Sequence, residues 1–503
     1  MRRVDPPDGD EFGPKFPAAA GNHPHAVSTG GSANGPKPAG EPPGGPAPPP
    51  LSAAGGPSAS GGERRADPPG TDAPGPKKPA GHGSTSTGVD GGPQRAAERP
   101  KRLAGRRGRV VVVGGGVVGL SAAWRAAREG AAVTVIDPDP GGGASYAAAG
   151  MLAPVSEVTY TEESLLRLGV DSLARWPGFA AELTEDSGDD LDLRSAGTLD
   201  VAFGADDLAA LGELAEFMAK LDLPVERLTG RECRRLEPLL APSVRGGILA
   251  PGDSWVNPRR VTRALLTALS RLGVPVVRRR VAEVVVAGGT VQGVRLGGPG
   301  GPASGGVRPG RAPLLLQDSG EAPETIPAEQ VVLAAGAWTG SLPGVPDGVL
   351  PPVRPVKGQI MRLRTPYPAL TRCVRGTVHG SPVYLVPRGD GEVVLGATQE
   401  EMGFDTRVTA GGLWEILRDA RELVPGVTEW EVTDVVAGLR PGTPDNLPAI
   451  GPTALPGLLV ASGHHRGGVL LAPLTADLVV RLLAGETIVD HPCSPSRFEE
   501  SSR

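Results

Sequence analysis

RVVVVGGGVVGLSAAWRAAREGAAVTVID, residues 109–137, is the stretch that decides the fold. Its continuous apolar run, 110–113, predicts a strand buried on both faces. A glycine turn with G-x-G-x-x-G spacing follows, then a helical apolar period that stops at Gly130, then a second apolar run ending at Asp137. The glycines of the turn are Gly114, Gly116 and Gly119. Strand, glycine turn, helix, strand and acid in this order predict a dinucleotide-binding unit.

Each part of this unit has a physical role. The first glycine allows the tight turn, the second lets the backbone approach a pyrophosphate, and the third lets the helix pack on the strand. The positive end of the helix faces the phosphates. Asp137 can accept hydrogen bonds from ribose hydroxyls, but these features do not distinguish NAD from FAD.

The residues that follow favour a flavin. The segment 141–154, GGGASYAAAGMLAP, continues with small residues. An NAD domain usually proceeds to another helix and strand at this point, whereas amine-oxidising flavoproteins run a small-residue segment close to the flavin. Residues 255–286 predict a helix, with Asn257 as its cap, and then a strand. Residues 330–340 predict another buried strand that ends in a glycine turn. A long excursion between two returns to one sheet predicts a discontinuous cofactor domain.

Composition divides the chain of 503 residues into two parts. Most of the excess of its 75 glycines and 55 prolines lies before residue 108. A segment without apolar periodicity cannot bury enough surface to offset its chain entropy, so we predict that 1–107 is a disordered extension. Its basic end, 95–109, is interpreted either as part of a solvated tail or as a weak polyanion-binding arm.

Charge, hydropathy and cysteine usage argue against several classes of protein. The net charge of −5 gives no global case for nucleic-acid binding. No apolar signal region follows the start, and the uncharged apolar run 110–124 is too short and glycine-rich to span a membrane. The three cysteines show neither a disulfide framework nor zinc spacing. We therefore predict a cytoplasmic protein with no nucleic-acid or membrane partner and no metal.

Seven pieces of sequence, taken together and in order, resemble a known family. They are VVVVGGGVVGLSAAW (110–124), AAAGMLAPVSE (147–157), VVLAAGAW (331–338), RPVKGQ (354–359), VYLVPRGDGEVVLGAT (383–398), VAGLRPGTPDNLPAIG (436–451) and GHHRGGVLLAP (463–473). The chain resembles the D-amino-acid-oxidase-like flavoenzymes and, among them, the glycine oxidases of thiamine biosynthesis. The resemblance runs from about residue 109 to 498. The extension 1–107 and the low-complexity loop 296–311 fall outside it.

The resemblance implies an α/β fold with two discontinuous domains. A Rossmann-like FAD-binding domain would comprise 108–197, 245–350 and 440–490, and a mixed, mostly antiparallel α+β substrate domain would comprise 198–244 and 351–439, with 491–503 as a C-terminal tail. The residue pattern agrees with this division. Residues 383–398 predict a hairpin around RGDGE, and 205–225 and 409–426 predict amphipathic helices.

The resemblance also implies which residues form the active site. Arg440 matches a carboxylate-binding arginine, Tyr384 a tyrosine that shares the carboxylate, and Arg466 an arginine near the substrate. A planar guanidinium suits this task because it binds a carboxylate through two parallel hydrogen bonds. The cofactor-binding residues would be Gly114, Gly116, Gly119, Asp137, Ser145, Gly150, Met151, Val281, Gly336, His464, Gly467, Gly468 and Val469.

The stretch 462–473, SGHHRGGVLLAP, is interpreted as a flavin contact and not as a metal site. Its two glycines let the backbone approach a flat ligand, and a helix with Val469 in its first turn would direct its positive end at the flavin edge that becomes negative on reduction. The two histidines would line or pack the site. Lys357 is interpreted either as an influence on oxygen reactivity or as an ordinary strand lysine. Gln399 is a candidate for the side-chain pocket.

These observations predict an FAD-dependent glycine oxidase. It would convert glycine through an imine to glyoxylate and ammonia, reduce molecular oxygen to peroxide, and hand the imine to thiazole synthase. No cysteine lies in the flavin-facing motifs, so the FAD would be bound noncovalently. A related D-amino-acid or N-methyl-amino-acid oxidase or dehydrogenase, and a flavin-binding regulatory protein, remain as alternatives. The electron acceptor and association into a homo-oligomer stay open.

Overall fold

The computed structural model describes residues 108–157, 160–299, 324–365, 367, 370–488 and 491–498. The predicted disordered extension, 1–107, lies outside the described residues, as do all but the first four residues of the loop 296–311. Among the residues described, no helix has the length and apolar character needed to cross a membrane.

The described residues form eight α-helices and nineteen β-strands. The helices are α1 Val117–Arg128, α2 Gly143–Ala147, α3 Glu163–Ser187, α4 Ala205–Lys220, α5 Gly230–Leu236, α6 Pro258–Arg271, α7 Ala410–Leu423 and α8 Ala472–Leu483. The strands are β1 Arg109–Val113, β2 Ala132–Ile136, β3 Met151–Leu152, β4 Thr198–Ala202, β5 Glu226–Thr229, β6 Gly246–Ala250, β7 Ser254–Trp255, β8 Val276–Val277, β9 Arg279–Ala287, β10 Thr290–Pro299, β11 Thr325–Pro327, β12 Gln330–Leu333, β13 Arg354–Arg364, β14 Cys373–Val378, β15 Ser381–Pro387, β16 Glu392–Gly396, β17 Glu431–Gly442, β18 Ala449–Pro452 and β19 Leu458–Ser462.

The opening βαβ unit forms the centre of a six-stranded sheet. The sheet order is β18-β19-β12-β1-β2-β8, and all neighbours are parallel except β18 and β19. Because successive side chains of a strand point to opposite faces, β1 serves two cores. Val110 and Val112 pack with α1, α3, α6 and α8, whereas Val111 and Val113 pack with the small sheet β9–β11. The result is the three-layer, Rossmann-like unit that the sequence predicts.

A second, eight-stranded sheet has the order β17-β13-β16-β15-β14-β4-β6-β5. Its pairs are antiparallel except β4 and β14, so the sheet is mixed and mostly antiparallel, as predicted. The predicted hairpin is formed by β15 and β16, and the two predicted amphipathic helices are α4 and α7. The amide oxygen of Asn257 accepts from the backbone N–H of Arg259 at 3.1 Å and caps α6.

Strand β6 corrects one predicted domain boundary. The boundary at 244/245 assigned β6 to the flavin domain, but β6 pairs with β4 and β5 in the eight-stranded sheet. The sequence of a five-residue apolar strand does not indicate which sheet the strand joins, because its partner strands lie elsewhere in the chain. The remaining division of the chain between two domains stays a prediction.

The start of α8 is a second correction. The sequence predicts a helix with Val469 in its first turn, but α8 begins at Ala472, after a 3₁₀ turn over His465–Gly467. Pro473 lies in the first turn of α8, where its missing N–H costs no hydrogen bond and its fixed φ is already helical. Val469 therefore belongs to the turn that precedes the helix.

Candidate active site

A cavity of about 1370 Å³ lies where the carboxyl ends of β1, β2, β12 and β19 meet one face of the eight-stranded sheet. Ligands of open α/β sheets bind at this edge. Most of the predicted site residues line it. They are Gly114, Gly116, Asp137, Ser145, Gly150, Met151, Val281, Gly336, Tyr384, Arg440, His464, Arg466, Gly468 and Val469. Gly119 and Gly467 do not line the cavity.

The glycine turn forms part of the cavity wall. Gly114 has φ +115°, a conformation that favours glycine, and a Cβ on Gly119 would lie 2.0 Å from the Gly114 carbonyl oxygen. Gly119 therefore lets α1 pack on β1, which is the role the sequence predicts for the third glycine. The Asp137 carboxylate accepts from the backbone N–H of Gly115 at 2.7 Å, and burial raises its pKa.

Ser145 has a role that sequence reasoning missed. Its hydroxyl accepts from the backbone N–H of Val117 at 2.9 Å, at the first residue of α1. The N-cap position of α1 is Gly116, which has no side chain to do this. Ser145 thus joins the small-residue segment to the glycine turn within the cavity wall.

Three arginines bind carbonyl groups of the small-residue segment. Arg259 Nε donates to the Tyr146 carbonyl at 3.0 Å, and Arg362 Nη2 donates to the Ala148 carbonyl at 3.2 Å. Arg388 donates to the Ala149 carbonyl. Burial lowers the pKa of Arg388 to about 10, so its side chain stays cationic at neutral pH. Arg362 lies on β13 and Arg388 directly follows β15, both strands of the eight-stranded sheet. No sequence pattern predicts that these arginines bind the small-residue segment.

These contacts orient two amide groups toward the cavity. In a trans peptide the N–H points away from the preceding C=O, so the N–H groups of Ala149 and Gly150 point away from the arginines. Within the described residues neither N–H donates a hydrogen bond. A Cβ on Gly336 would meet no atom within 4 Å, so the wall is open there as well. Unpaired donors and open backbone fit the flat, acceptor-rich ring of FAD.

Arg440 and Tyr384 lie together in the part of the cavity wall that the eight-stranded sheet forms. Arg440 Nη1 donates to the carbonyls of Lys357 at 3.3 Å and Thr398 at 3.2 Å, which fixes the guanidinium against Gly358. Burial raises the pKa of the Tyr384 hydroxyl to about 12, although the neighbouring Arg440 cation opposes the shift. Tyr384 is therefore protonated at neutral pH and can donate a hydrogen bond. Two donors for a carboxylate converge on this part of the wall.

Arg466 lines the cavity, but its guanidinium is engaged by the protein. It forms an ion pair with Glu162 and donates to the Glu157 carbonyl at 3.2 Å. The Asn446 side-chain amide donates to the same Glu162 carboxylate at 2.8 Å. The predicted contact of Arg466 with the substrate stays a prediction.

The two adjacent histidines are kept neutral by burial. The His464 ring is 2.9 Å from the Thr475 hydroxyl, and burial lowers its pKa to about 3. His465 has φ +46°, and burial, assisted by Arg466 and Arg440, lowers its pKa to about 4. Both residues are in contact with the cavity, in agreement with a lining or packing role.

Lys357 points away from the cavity. Gly358 and Ile360 of β13 line the cavity, so Lys357 lies on the opposite face of the strand, where its Nζ is 3.2 Å from a Glu400 oxygen. This position favours the interpretation as a strand lysine. Gln399 lines the cavity, where the sequence places a candidate pocket residue.

The three cysteines of the chain are free and buried, and none lines the cavity. This agrees with a flavin that is not attached through cysteine. The described residues contain no group of three or more histidines, cysteines or carboxylates that could hold a metal ion.

The sequence patterns also do not predict an ion pair that lies beside Tyr384. Arg375 Nε lies 3.1 Å from an Asp200 oxygen, and both side chains line the cavity. The two residues come from β14 and β4, which are distant in the chain and adjacent in the sheet. No local pattern could have paired them.

The chain is similar to known proteins over most of its described residues. The family described as FAD dependent oxidoreductase (DAO) matches residues 109–482. A glycine oxidase of Geobacillus kaustophilus is 34% identical over 377 residues, which cover 74% of this chain and 92% of that protein. The bifunctional protein ThiO/ThiG of Trichormus variabilis is 32% identical over 407 residues, 78% of this chain and 55% of that protein. The crystal structure of glycine oxidase from Geobacillus kaustophilus superposes with a TM-score of 0.67 and 32% identity, covering 78% of this chain and 99% of that one.

Proposed function

Because the chain belongs to the DAO family of FAD-dependent oxidoreductases and is an FAD-dependent amino-acid oxidase, we propose that its substrate is glycine. The products would be glyoxylate and ammonia, formed by hydrolysis of an imine, and hydrogen peroxide. The observation that carries the proposal is the convergence of Arg440 and Tyr384 on one cavity that the glycine turn also lines. The similarity to glycine oxidase over 92% of that protein supports the choice of substrate.

The chain's own groups would bind and orient the amino acid. The Arg440 guanidinium, held by two carbonyls, and the protonated Tyr384 hydroxyl would bind the α-carboxylate. This contact fixes where the amine and the α-carbon lie, which lowers the entropic cost of reaching the transition state. FAD, when bound, supplies the two-electron oxidation of the carbon–nitrogen bond. The amine would react in its neutral form, so the chain need not provide a strong base.

The amides of Ala149 and Gly150 would hold the flavin ring, with the arginine contacts of their carbonyls fixing the direction of each N–H. Asp137 and the glycine turn would hold the ribose and the pyrophosphate. Gly468 has no neighbouring atom closer than 3.7 Å to the position of a Cβ, so backbone could approach the ring there.

We further propose that the product is passed to thiazole synthase in thiamine biosynthesis. A relative that joins ThiO and ThiG in one chain supports this proposal. A cytoplasmic location is proposed as well, because the three thiols are all unpaired.

The experiment combines anaerobic bleaching of the flavin absorbance by glycine, sarcosine, D-alanine and D-proline with steady-state oxidation of glycine, in the wild type and in Arg440→Lys. Lysine keeps the charge but loses the planar fork, so the apparent KM for glycine should rise by roughly one to three orders of magnitude. Flavin content should stay normal because Arg440 is assigned to the substrate.

The matched control is Arg364→Lys, which changes an arginine at the end of β13 outside the cavity lining and should leave KM unchanged. An unchanged KM in Arg440→Lys would show that the carboxylate is bound elsewhere. Faster bleaching by D-proline or sarcosine than by glycine would show that glycine is not the preferred substrate.

A further inference from the structure

One row of residues crosses the eight-stranded sheet beside the proposed carboxylate site. Gly396 of β16 is paired with Tyr384 of β15, Tyr384 with Arg375 of β14, and Arg375 with Asp200 of β4. Paired residues share a face of the sheet, and neighbouring strands lie about 4.8 Å apart. Tyr384, Arg375 and Asp200 therefore form a continuous polar surface in the cavity wall.

Arg440 lies on the other side of Tyr384. Its guanidinium covers Gly358 of β13, and β13 is separated from β15 by β16. A carboxylate bound between Arg440 and Tyr384 thus has the Arg375–Asp200 pair as its neighbour on the far side of Tyr384. A substituent that extends away from Arg440 would meet this pair.

The protein uses part of the Arg375 guanidinium and leaves part of it available. Nε pairs with Asp200 at 3.1 Å, and Nη1 donates to the Ser156 carbonyl at 2.6 Å. Ser156 is held in turn, because its N–H donates to the buried Asp253 carboxylate at 3.1 Å. Among the described residues Nη2 makes no hydrogen bond, and this atom is not buried within the protein. An immobilised donor is therefore accessible from the cavity.

The charge around this donor determines what it can bind. Burial opposes the charge of Arg375, but Asp200, Glu157 and Asp253 outweigh it and raise the pKa of Arg375. The cation is cancelled by Asp200, and Glu157, which also lines the cavity, adds a negative charge. A second carboxylate would meet like charges, and an alkyl group would remove water from Nη2 without replacing its hydrogen bond. A neutral oxygen acceptor avoids both costs.

We propose, on the basis of the proposed oxidase function, that Arg375 and Asp200 form a side-chain subsite for a neutral polar group such as a carboxamide or a hydroxyl. The site would accept glycine, with water at Nη2, and small amino acids with such a group. It would discriminate against acidic and branched aliphatic side chains.

The test measures binding of carboxylates that lack an amine and so cannot be oxidised. Succinamate, succinate and 4-methylpentanoate have the same length and end in a carboxamide, a carboxylate and an isopropyl group, and acetate has no extension. Perturbation of the flavin absorbance gives each Kd. A hydrogen bond to a charged donor is worth about tenfold or more in affinity, so succinamate should bind at least about tenfold more tightly than the other two long acids.

Two variants assign the preference to the pair. Arg375→Lys keeps a cation beside Asp200 but removes the Nη2 donor. The affinity for succinamate should therefore fall about tenfold relative to the affinity for acetate. Asp200→Asn removes a negative charge, so the affinity for succinate should rise about tenfold relative to the affinity for acetate. The control Arg372→Lys changes an arginine three residues away that is outside the cavity lining, and its ratios should equal those of the wild type.

Equal binding of the three long acids by the wild type would overturn the inference, as would an unchanged succinamate-to-acetate ratio in Arg375→Lys. If Arg375→Lys does not retain flavin, Asp200→Asn decides, and an unchanged succinate ratio refutes the subsite. Failure of the proposed function has a different signature. Glycine would then leave the flavin oxidised, whereas a protein that oxidises glycine and binds acetate but does not discriminate would contradict the subsite alone.

Discussion

Gly358→Ala should impair carboxylate binding while leaving the chemical identity of every substrate-binding side chain unchanged. A Cβ on Gly358 would lie 2.3 Å from Arg440 Nη1 and 2.5 Å from Nη2. The nearest atoms are the far end of a flexible side chain, so the guanidinium would move while the backbone of β13 stays in place. The movement would also disturb the bonds from Nη1 to the Lys357 and Thr398 carbonyls.

The magnitude follows from this displacement. An ordinary van der Waals contact would require the guanidinium to move by about 1 Å, and a bidentate contact depends on geometry at that scale. Complete loss of one partner of a buried charge pair costs about 2–5 kcal/mol, so a displaced partner should cost less. We expect the KM for glycine and the Kd for acetate to rise by roughly 10- to 100-fold, at about 1.4 kcal/mol per decade.

The assay is steady-state oxidation of glycine together with acetate titration of the flavin absorbance. Gly252→Ala is the matched control, because a Cβ at Gly252 meets no atom within 4 Å and its φ lies outside the left-handed region. Flavin content and Tm should stay close to wild type in both variants. If Gly358→Ala holds flavin and binds acetate with wild-type affinity, the Arg440 guanidinium does not form the carboxylate site.

Two further predictions concern acid sensitivity and the cofactor. His464 has a pKa of about 3 in the fold against about 6.5 when unfolded, so the stability present above pH 6.5 is lost as the pH falls toward 3. His464→Gln should reduce the loss of unfolding free energy between pH 7 and pH 5 by about 2 kcal/mol, measured by urea unfolding with saturating FAD; an unchanged loss would contradict the burial argument. Acid precipitation should release the flavin into the supernatant, because no cysteine lines the cavity; colour retained in the pellet would indicate a covalent bond.

Local patterns were sufficient for the elements whose determinants are close in the chain. The strand, glycine turn and helix of 109–137 are set by neighbouring residues, since Gly114 must adopt a positive φ and Gly119 must leave room for a carbonyl. The cap at Asn257 and the hairpin of β15 and β16 are equally local. The resemblance of seven sequence pieces to one family also predicts that Arg440 and Tyr384 lie in one site.

The tertiary structure decided the partners that lie far apart in the chain. The sequence does not show that β6 pairs with β4, that Arg362 and Arg388 bind the carbonyls beside the flavin segment, or that Arg375 lies against Asp200. A strand's hydrogen-bonding groups are the same for every partner, so its neighbours depend on packing and register over the whole sheet. Turn and cap residues act through their own φ and side chain, whereas the row Tyr384–Arg375–Asp200 exists only because three distant strands align in one register.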